Sequence, residues 1–416
     1  MEHGYTSEKI LYNACKSIFG EDLVFLSPNV ISETGKKEEL TDVLVILDKY
    51  LITIQSKSLN LTSEEIDDIK FGRVTKKYEE AKRQINRTIN AFSRKMLVPL
   101  NTVYGKELYL PWENIEIIIP IITINLIDNE YNDPEYRFQF PIKIEKYNNL
   151  DMHTFMLHDF FIMISELNTG GDFINYINER QLLSSLVLQN YTNELDILAI
   201  FISQYGLIED LHNKKYDSLI IQPGMWEEYR TRHHDKIKKR DKKKFSINVI
   251  DITIKELRSS IDYTIENAGI DIKTMTSKYF HLIGIFSLLT CVEAIQITEK
   301  FIEKIESSKK EFIRYFIYPK KECGILFLII NEPNRDKRKN SLLAIVGKAA
   351  QHINDTMPKY EMKEIIGIAT EGKQLPGRSL DIINMSMKDA LALIDPSDKT
   401  VLFKNNPKKR IDEWTM

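Results

Sequence analysis

Two short apolar runs separated by only two residues constrain the fold more strongly than any other feature. The runs read TDVLVIL over residues 41–47 and YLITIQ over residues 50–55, and both are rich in Val, Ile, Leu or Thr. Short segments of this kind are typical of strands, and a connection through Asp48 and Lys49 alone predicts a tight hairpin. We therefore expect a pair of antiparallel strands with a fixed register.

That register brings three polar side chains together. If Leu47 faces Tyr50, then Asp42 lies opposite Gln55, and Lys57 shares the face of Gln55 because side chains alternate along a strand. Facing residues of a hairpin have Cβ atoms about 4.5–5.5 Å apart. The sequence thus predicts that Asp42, Gln55 and Lys57 converge at one end of an otherwise apolar hairpin.

Helical and strand patterns around the hairpin predict an α/β fold. A first helix is expected over about 7–19, closed by Gly20, a long helix over about 74–92, and a further strand over 114–125. Later helices are expected near 153–167, 172–187 (after a break at NTGG, 168–171), 193–206, 253–267, 275–307 and 338–353, and later strands at 324–330, 364–369 and 379–385.

These elements suggest three domains in a chain of 416 residues. We expect an N-terminal α/β domain over 1–135, a mostly helical region over 136–310, and a small C-terminal α/β unit over 311–416. The net charge of only -3 gives no global basic field, so any nucleic-acid binding has to come from local patches.

The remaining composition favours a protein of the cytoplasm with no membrane contact. Cys15, Cys291 and Cys323 are far apart, which argues against a disulfide framework and fits a reducing compartment. No signal-peptide pattern is visible at the N-terminus. The most apolar run, 279–297, contains His281 and Glu293, so we interpret it as a buried helix.

The converging polar residues suit hydrolysis of a phosphodiester. A carboxylate such as Asp42 is a typical ligand of Mg²⁺, which bridges to phosphate oxygens, and a lysine such as Lys57 can orient water or offset transition-state charge. Gln55 is a weaker ligand than Glu, so the metal needs another carboxylate. The candidates are Glu8, Glu38 and Glu39.

The string ELTDVLVILDKYLITIQSK resembles the core of the PD-(D/E)xK, or restriction-endonuclease-like, nuclease superfamily in its QxK variant. The acidic residue of the family motif corresponds to Asp42, and the QxK part of the motif corresponds to Gln55 and Lys57. Glu8 matches an acidic position that family members often have on the preceding helix. More narrowly, the chain is similar to uncharacterised bacterial nuclease-like proteins in ELTD (39–42), in 166–177 and in 365–372.

The resemblance implies a Mg²⁺-dependent endonuclease, with Mn²⁺ as a substitute metal, acting in restriction, phage defence or repair. DNA is favoured over RNA, and a homo-oligomer or a defence-system partner protein stays open. Glu8 or Glu39 would join Asp42 as metal ligand, and the backbone carbonyl after Gln55 would assist. The residues expected to grip phosphates lie on the helix after Lys57: Lys76, Lys77, Arg83, Gln84 and Arg87.

Other readings of the same residues remain. Polar residues at strand ends, an acid in a first helical turn and a basic helix surface are all common in proteins without activity. The domain could therefore be a catalytically silent nucleic-acid-binding or assembly module, or an accessory to a helical scaffold. The charge run over 230–244 is expected to be an exposed linker. The near phosphate-loop GIATEGKQ (367–374) is rejected for ATP because Gln374 and Pro376 follow its lysine.

Overall fold

The protein is described here by a computed structural model. It describes residues 2–31, 35–60, 67–101, 107–127, 143–185, 193–203, 210, 213, 221–233, 248–267, 271–307, 314–320, 322–371 and 380–394. The chain divides into two compact units. Unit 1 comprises 1–246 and 257–294, and unit 2 comprises 247–256 and 295–416.

Both helices and strands make up large parts of the described chain, which confirms the α/β class. The strands are β1 Val24–Leu26, β2 Asn29–Ile31, β3 Lys37–Glu39, β4 Val43–Leu47, β5 Tyr50–Asn60, β6 Pro99–Asn101, β7 Glu107–Tyr109, β8 Ile117–Ile127, β9 Lys143–Tyr147, β10 Leu150–Met156, β11 Arg314–Lys320, β12 Cys323–Ile329, β13 Glu364–Thr370 and β14 Leu380–Ser386. The helices are α1 Glu2–Phe19, α2 Asp67–Ser93, α3 Leu157–Leu167, α4 Gly170–Ser185, α5 Glu194–Ser203, α6 Met225–Arg232, α7 Asn248–Asn267, α8 Ile272–Ser287, α9 Cys291–Glu306, α10 Arg335–Thr356 and α11 Met387–Ala392.

The hairpin of β4 and β5 has the register that the sequence predicts. Leu47 pairs with Tyr50 and Val43 pairs with Ile54, so the turn is Asp48 and Lys49. Asp48 adopts a φ of 52°, in the left-handed region that such a tight turn needs. All five residues of β4 are buried, as expected for a strand with neighbours on both sides.

The hairpin belongs to a six-stranded mixed sheet of order β1-β4-β5-β8-β10-β9. The meander β1, β4 and β5 is antiparallel, and β8 then lies parallel to β5, with α2 in the connection between them. Strand β10 is parallel to β8, and β9 completes the far edge. Residues 143–156 thus belong to this sheet, so the expected boundary at residue 135 falls between two of its strands.

Helices α1 and α2 cover opposite faces of this sheet. Leu59 of β5 packs with Val74 and Tyr78 of α2 in one buried cluster. Ser58, whose side chain points to the other face, contacts Ser7 of α1 through their hydroxyls at 3.4 Å. Gln55 and Lys57 share the parity of Leu59, so both lie on the α2 side.

A buried ion pair supports the far part of unit 1. The Arg180 guanidinium binds Glu194 through two contacts of 2.9 Å and also donates to His153 Nδ1 at 2.9 Å. Arg180 and His153 are fully buried.

The helix expected over 153–167 is wrong at its beginning. Residues 150–156 form strand β10, which pairs with β8, and the helix begins at Leu157.

Unit 2 contains a four-stranded sheet of order β11-β12-β13-β14 with α10 packed on it. The three strands and the helix expected here are confirmed within a few residues, whereas β11 had not been predicted. Arg338 of α10 is buried and binds Asp381 at 2.5 Å and Glu371 at 2.6 Å.

The single helix expected over 275–307 is two helices, because the chain breaks between Ser287 and Cys291. No single helix in the described residues is long and apolar enough to cross a bilayer. Only the separate helices Lys273–Ser287 and Cys291–Glu306, taken together, reach that length and hydropathy.

Candidate active site

Asp42 is held rigidly at the beginning of the hairpin. Its side chain is 3% exposed, and its Oδ2 accepts a hydrogen bond from the backbone N–H of Ser56 at 2.6 Å. The neighbouring Thr41 hydroxyl donates to the carbonyl of Ile54 at 3.0 Å. Two side chains therefore continue the β4–β5 pairing beyond the strand itself and fix where the Asp42 carboxylate lies.

Gln55 and Lys57 follow on the partner strand, as the sequence predicts. The β4–β5 register, continued by one residue, places Gln55 opposite Asp42. Gln55 is 2% exposed, and no described residue donates a hydrogen bond to its Oε1 atom. Lys57 is half-buried and lies two residues further along the same face. A buried acceptor without a donor is costly, and here it lies beside a carboxylate.

Two further carboxyl groups approach Asp42. Glu39, the last residue of β3, has an exposed side chain whose carboxyl is partly desolvated where it approaches Asp42. This desolvation, together with a hydrogen bond to the Asp42 carboxyl, raises the pKa of Glu39 to about 7. Burial also raises the pKa of Glu8 on α1, and the charge of Asp42 adds to the rise while Lys57 opposes it. Carboxyl groups that cannot all ionise together are typical of sites that bind cations or move protons.

Glu38, the other acid considered, does not join this group. Its carboxylate binds Lys36 Nζ at 2.7 Å on the surface, and that contact lowers the pKa of Glu38. Because Glu38 and Glu39 are adjacent on β3, their side chains point to opposite faces. Of the three candidate acids, Glu8 and Glu39 are therefore the two that interact with Asp42.

A basic pocket opens beside Lys57. It encloses about 330 Å³ between β5 and α2. Its lining combines four cationic side chains with one amide and one carboxylate: Lys57, Lys77, Arg83, Arg87, Gln84 and Glu80. Lys77, Glu80, Gln84 and Arg87 recur every three or four positions, with Arg83 beside Gln84, and so form one helix face. The Oε1 atom of Gln84 is buried and has no hydrogen-bond donor among the described residues.

Four of the five residues expected to grip phosphates line this pocket. The exception is Lys76, which is exposed and lies outside the lining. Glu80 was not among the residues that the sequence analysis assigned to this surface. The signal was present, because Glu80 lies three residues after Lys77 and four before Gln84, and hence on their face of the helix.

In the part of the chain that the structure describes, no three His, Cys, Asp or Glu side chains form a group that could hold a metal ion. The donors that do meet are the carboxyls of Glu39 and Asp42, with the Gln55 amide opposite. Mg²⁺ is often bound by one or two carboxylates together with waters and substrate phosphates. The hydrogen-bonded carboxyl pair and the unpartnered Gln55 oxygen therefore fit such an ion, and a closed protein cage is absent from these residues.

Two other sequence features lie partly outside the described residues. The glycine, lysine and glutamine of the near phosphate-loop at 372–374 lie outside the described residues, as does most of the charge run, 234–244. The first residues of the charge run, Arg230 to Arg232, are the last residues of helix α6, so the run begins within a helix.

No protein-family model, curated protein or solved structure matches this chain.

Proposed function

We propose that this protein is a metal-dependent nuclease that hydrolyses nucleic-acid phosphodiester bonds, with Asp42, Gln55 and Lys57 at its active site. One observation carries the proposal: Lys57 lies on the strand face of the Asp42–Gln55 pair and also lines the basic pocket. A carboxyl cluster and a polyanion-binding pocket thus share one lysine. That combination suits a reaction in which a phosphate must be gripped and attacked at the same place.

The metal is proposed to be Mg²⁺, with Mn²⁺ as a substitute, held by Asp42 and Glu39, with the backbone carbonyl after Gln55 assisting and Glu8 nearby. When bound, such an ion activates a water and neutralises charge on the phosphate oxygens. Because the pKa of Glu39 is raised to about 7, a metal that binds there should compete with protonation of Glu39 near neutral pH.

The side chains of the protein would divide the remaining work. Hydrolysis forms a bond from a water oxygen to phosphorus and breaks the bond from phosphorus to a sugar oxygen. The Lys57 ammonium would stabilise the negative charge that develops on the phosphate in the transition state. Lys77, Arg83 and Arg87 would bind flanking phosphates and hold the strand in line with Lys57. DNA is our first expectation for the substrate, and a role in restriction or phage defence is proposed on the sequence resemblance alone.

The deciding experiment is cleavage of labelled DNA and RNA, single- and double-stranded, in Mg²⁺, Mn²⁺ or EDTA, by the wild type and by Lys57→Ala. We expect cutting that requires metal and is lost in the variant. Lys76→Ala is the matched control, because it removes the same charge from α2 outside the pocket. Cutting that survives Lys57→Ala unchanged would contradict the proposed site.

A second candidate is a catalytically silent module that binds nucleic acid or a partner through the same pocket. The lack of a three-ligand metal group among the described residues favours it. The two functions differ in one result: the silent module binds nucleic acid through the pocket but leaves it uncut with every metal.

A further inference from the structure

The basic pocket contains one carboxylate, that of Glu80. Four cationic side chains line the pocket with it. The second acid at this point of the helix, Glu79, is not among the lining residues, and its carboxylate lies 3.5 Å from Lys82 Nζ. The two adjacent glutamates thus differ in position: Glu80 faces the basic pocket, and Glu79 pairs with Lys82 on another side of α2.

Glu80 is engaged with a lysine of the same pocket. Its Oε2 atom lies 2.6 Å from Lys77 Nζ, one helical turn away, and both side chains remain partly exposed. The contact with Lys77 lowers the pKa of Glu80, and Lys76 and Lys57 act in the same direction. Glu80 is therefore an anion at neutral pH and occupies a cation that would otherwise be available to a phosphate.

We infer that Glu80 is an internal counter-ion that competes with nucleic-acid phosphate for Lys77 and so sets the binding strength of the pocket. The inference rests on the proposed function. A phosphate that enters has to break the Lys77–Glu80 contact and remain near the Glu80 charge. Partly exposed ion pairs of this kind contribute little to stability, so the competition is modest and can be overcome by a ligand with several phosphates.

As a consequence, the pocket should favour a ligand with several closely spaced phosphates over a ligand with one. A single phosphate gains little by replacing Glu80, whereas a polynucleotide gains contacts to Arg83, Arg87 and Lys57 at the same time. In the free pocket one of the cations, Lys77, is paired with a protein carboxylate, which limits nonspecific binding of small anions. Glu80 acts by holding Lys77 and makes no contact with the reacting atoms, so it is a specificity-determining residue.

The test compares Glu80→Gln with Glu79→Gln, which remove equal charge from neighbouring positions. Binding of short fluorescent DNA and RNA strands is measured in EDTA over a range of salt concentrations. We expect Glu80→Gln to tighten binding about two- to fivefold and to steepen the dependence of log Kd on log salt by roughly 0.7–0.9. Glu79→Gln should change Kd much less, because Glu79 does not line the pocket and its carboxylate lies 3.5 Å from Lys82 Nζ.

A double-mutant cycle keeps the test independent of general charge effects. In a Lys77→Met background, Glu80→Gln should lose most of its benefit, because no lysine is released. The inference is overturned if Glu80→Gln weakens binding, if Glu79→Gln tightens it equally, or if the benefit persists without Lys77. Wild type that binds none of the strands contradicts the proposed function as well, whereas binding without a Glu80 effect contradicts this inference alone.

Discussion

The backbone N–H of Ser56 donates to the Asp42 carboxylate at 2.6 Å, so the acid is fixed by the strand that carries Lys57. Asp42→Asn keeps an oxygen for this bond, whereas Asp42→Ala leaves a buried N–H unpaired. We expect Asp42→Ala to lower the free energy of unfolding by about 1–3 kcal/mol and Asp42→Asn to lower it much less. Both variants should lose metal-dependent cutting, which separates the structural role of the oxygen from the role of the charge.

Gln55→Glu tests whether the acidic cluster binds metal. A third carboxyl beside Glu39 and Asp42 should destabilise the protein in EDTA by about 1 kcal/mol or more, because the added charge is buried among acids. Mn²⁺ should reverse this loss, so that the difference in Tm between Mn²⁺ and EDTA grows by a few degrees relative to the wild type. Gln84→Glu is the matched control, since it adds a carboxyl among cations; an equal response to Mn²⁺ in that variant would argue against the metal site.

Arg87 and Lys76 should differ in their effect on nucleic-acid binding, because only Arg87 lines the pocket. We expect Arg87→Ala to raise Kd about three- to tenfold and to reduce the slope of log Kd against log salt by roughly 1. Lys76→Ala should raise Kd less than Arg87→Ala does, because Lys76 acts on the pocket only through its charge and does not line it. Anisotropy titrations with one labelled strand measure both quantities. Equal losses in the two variants would indicate a diffuse basic surface instead of a pocket.

His153 should make unit 1 sensitive to acid. Burial, with a further contribution from Arg180, lowers the pKa of His153 well below 6.5, so the folded state keeps the ring neutral. In the unfolded chain the ring takes up a proton near its ordinary pKa of about 6.5. Stability is therefore fully present above that pH and declines as the pH falls through it, by on the order of 1 kcal/mol between pH 7.5 and 5.5.

The measurement is the Tm at both pH values for the wild type and His153→Gln, whose amide oxygen can still accept from Arg180. The charged neighbours, Arg180 and its partner Glu194, are the same in both proteins. The wild type should lose about 3 °C more than the variant on acidification. Parallel losses would assign the acid sensitivity to other groups.

The sequence was sufficient for those parts of the site that depend on local pairing. A two-residue turn and alternation along β5 determine that Asp42, Gln55 and Lys57 share a face, and the structure has that register. The helical period likewise placed Lys77, Arg83, Gln84 and Arg87 on one surface. Asp42, Gln55 and Lys57 remain proposals as catalytic residues, and the nuclease family remains a resemblance.

Contacts between distant segments could not be predicted in the same way. Glu39 is positioned near Asp42 by the pairing of β3 with β2. This pairing covers only three residues of each strand, which is too short to give a recognisable hydrophobic pattern in the sequence. Strand β10 was mistaken for helix because LDMHTFM runs directly into LHDFFIMISEL, and its strand conformation depends on pairing with β8. Short buried runs of this kind fit both the period of a helix and the alternation of a strand, and tertiary pairing decides between the two structures.

The parallel pairing of β5 with β8 has a consequence for the order of assembly. Hairpins with short turns close in about 1–10 µs, so the strands that carry Asp42 and Gln55 can meet while the rest of the chain is unstructured. Tyr50 meets Ile117 only after the segment that contains α2 has folded back, and such nonlocal contacts form slowly. The acidic half of the site should therefore mature first during synthesis, and the cationic half should appear only when the crossover closes.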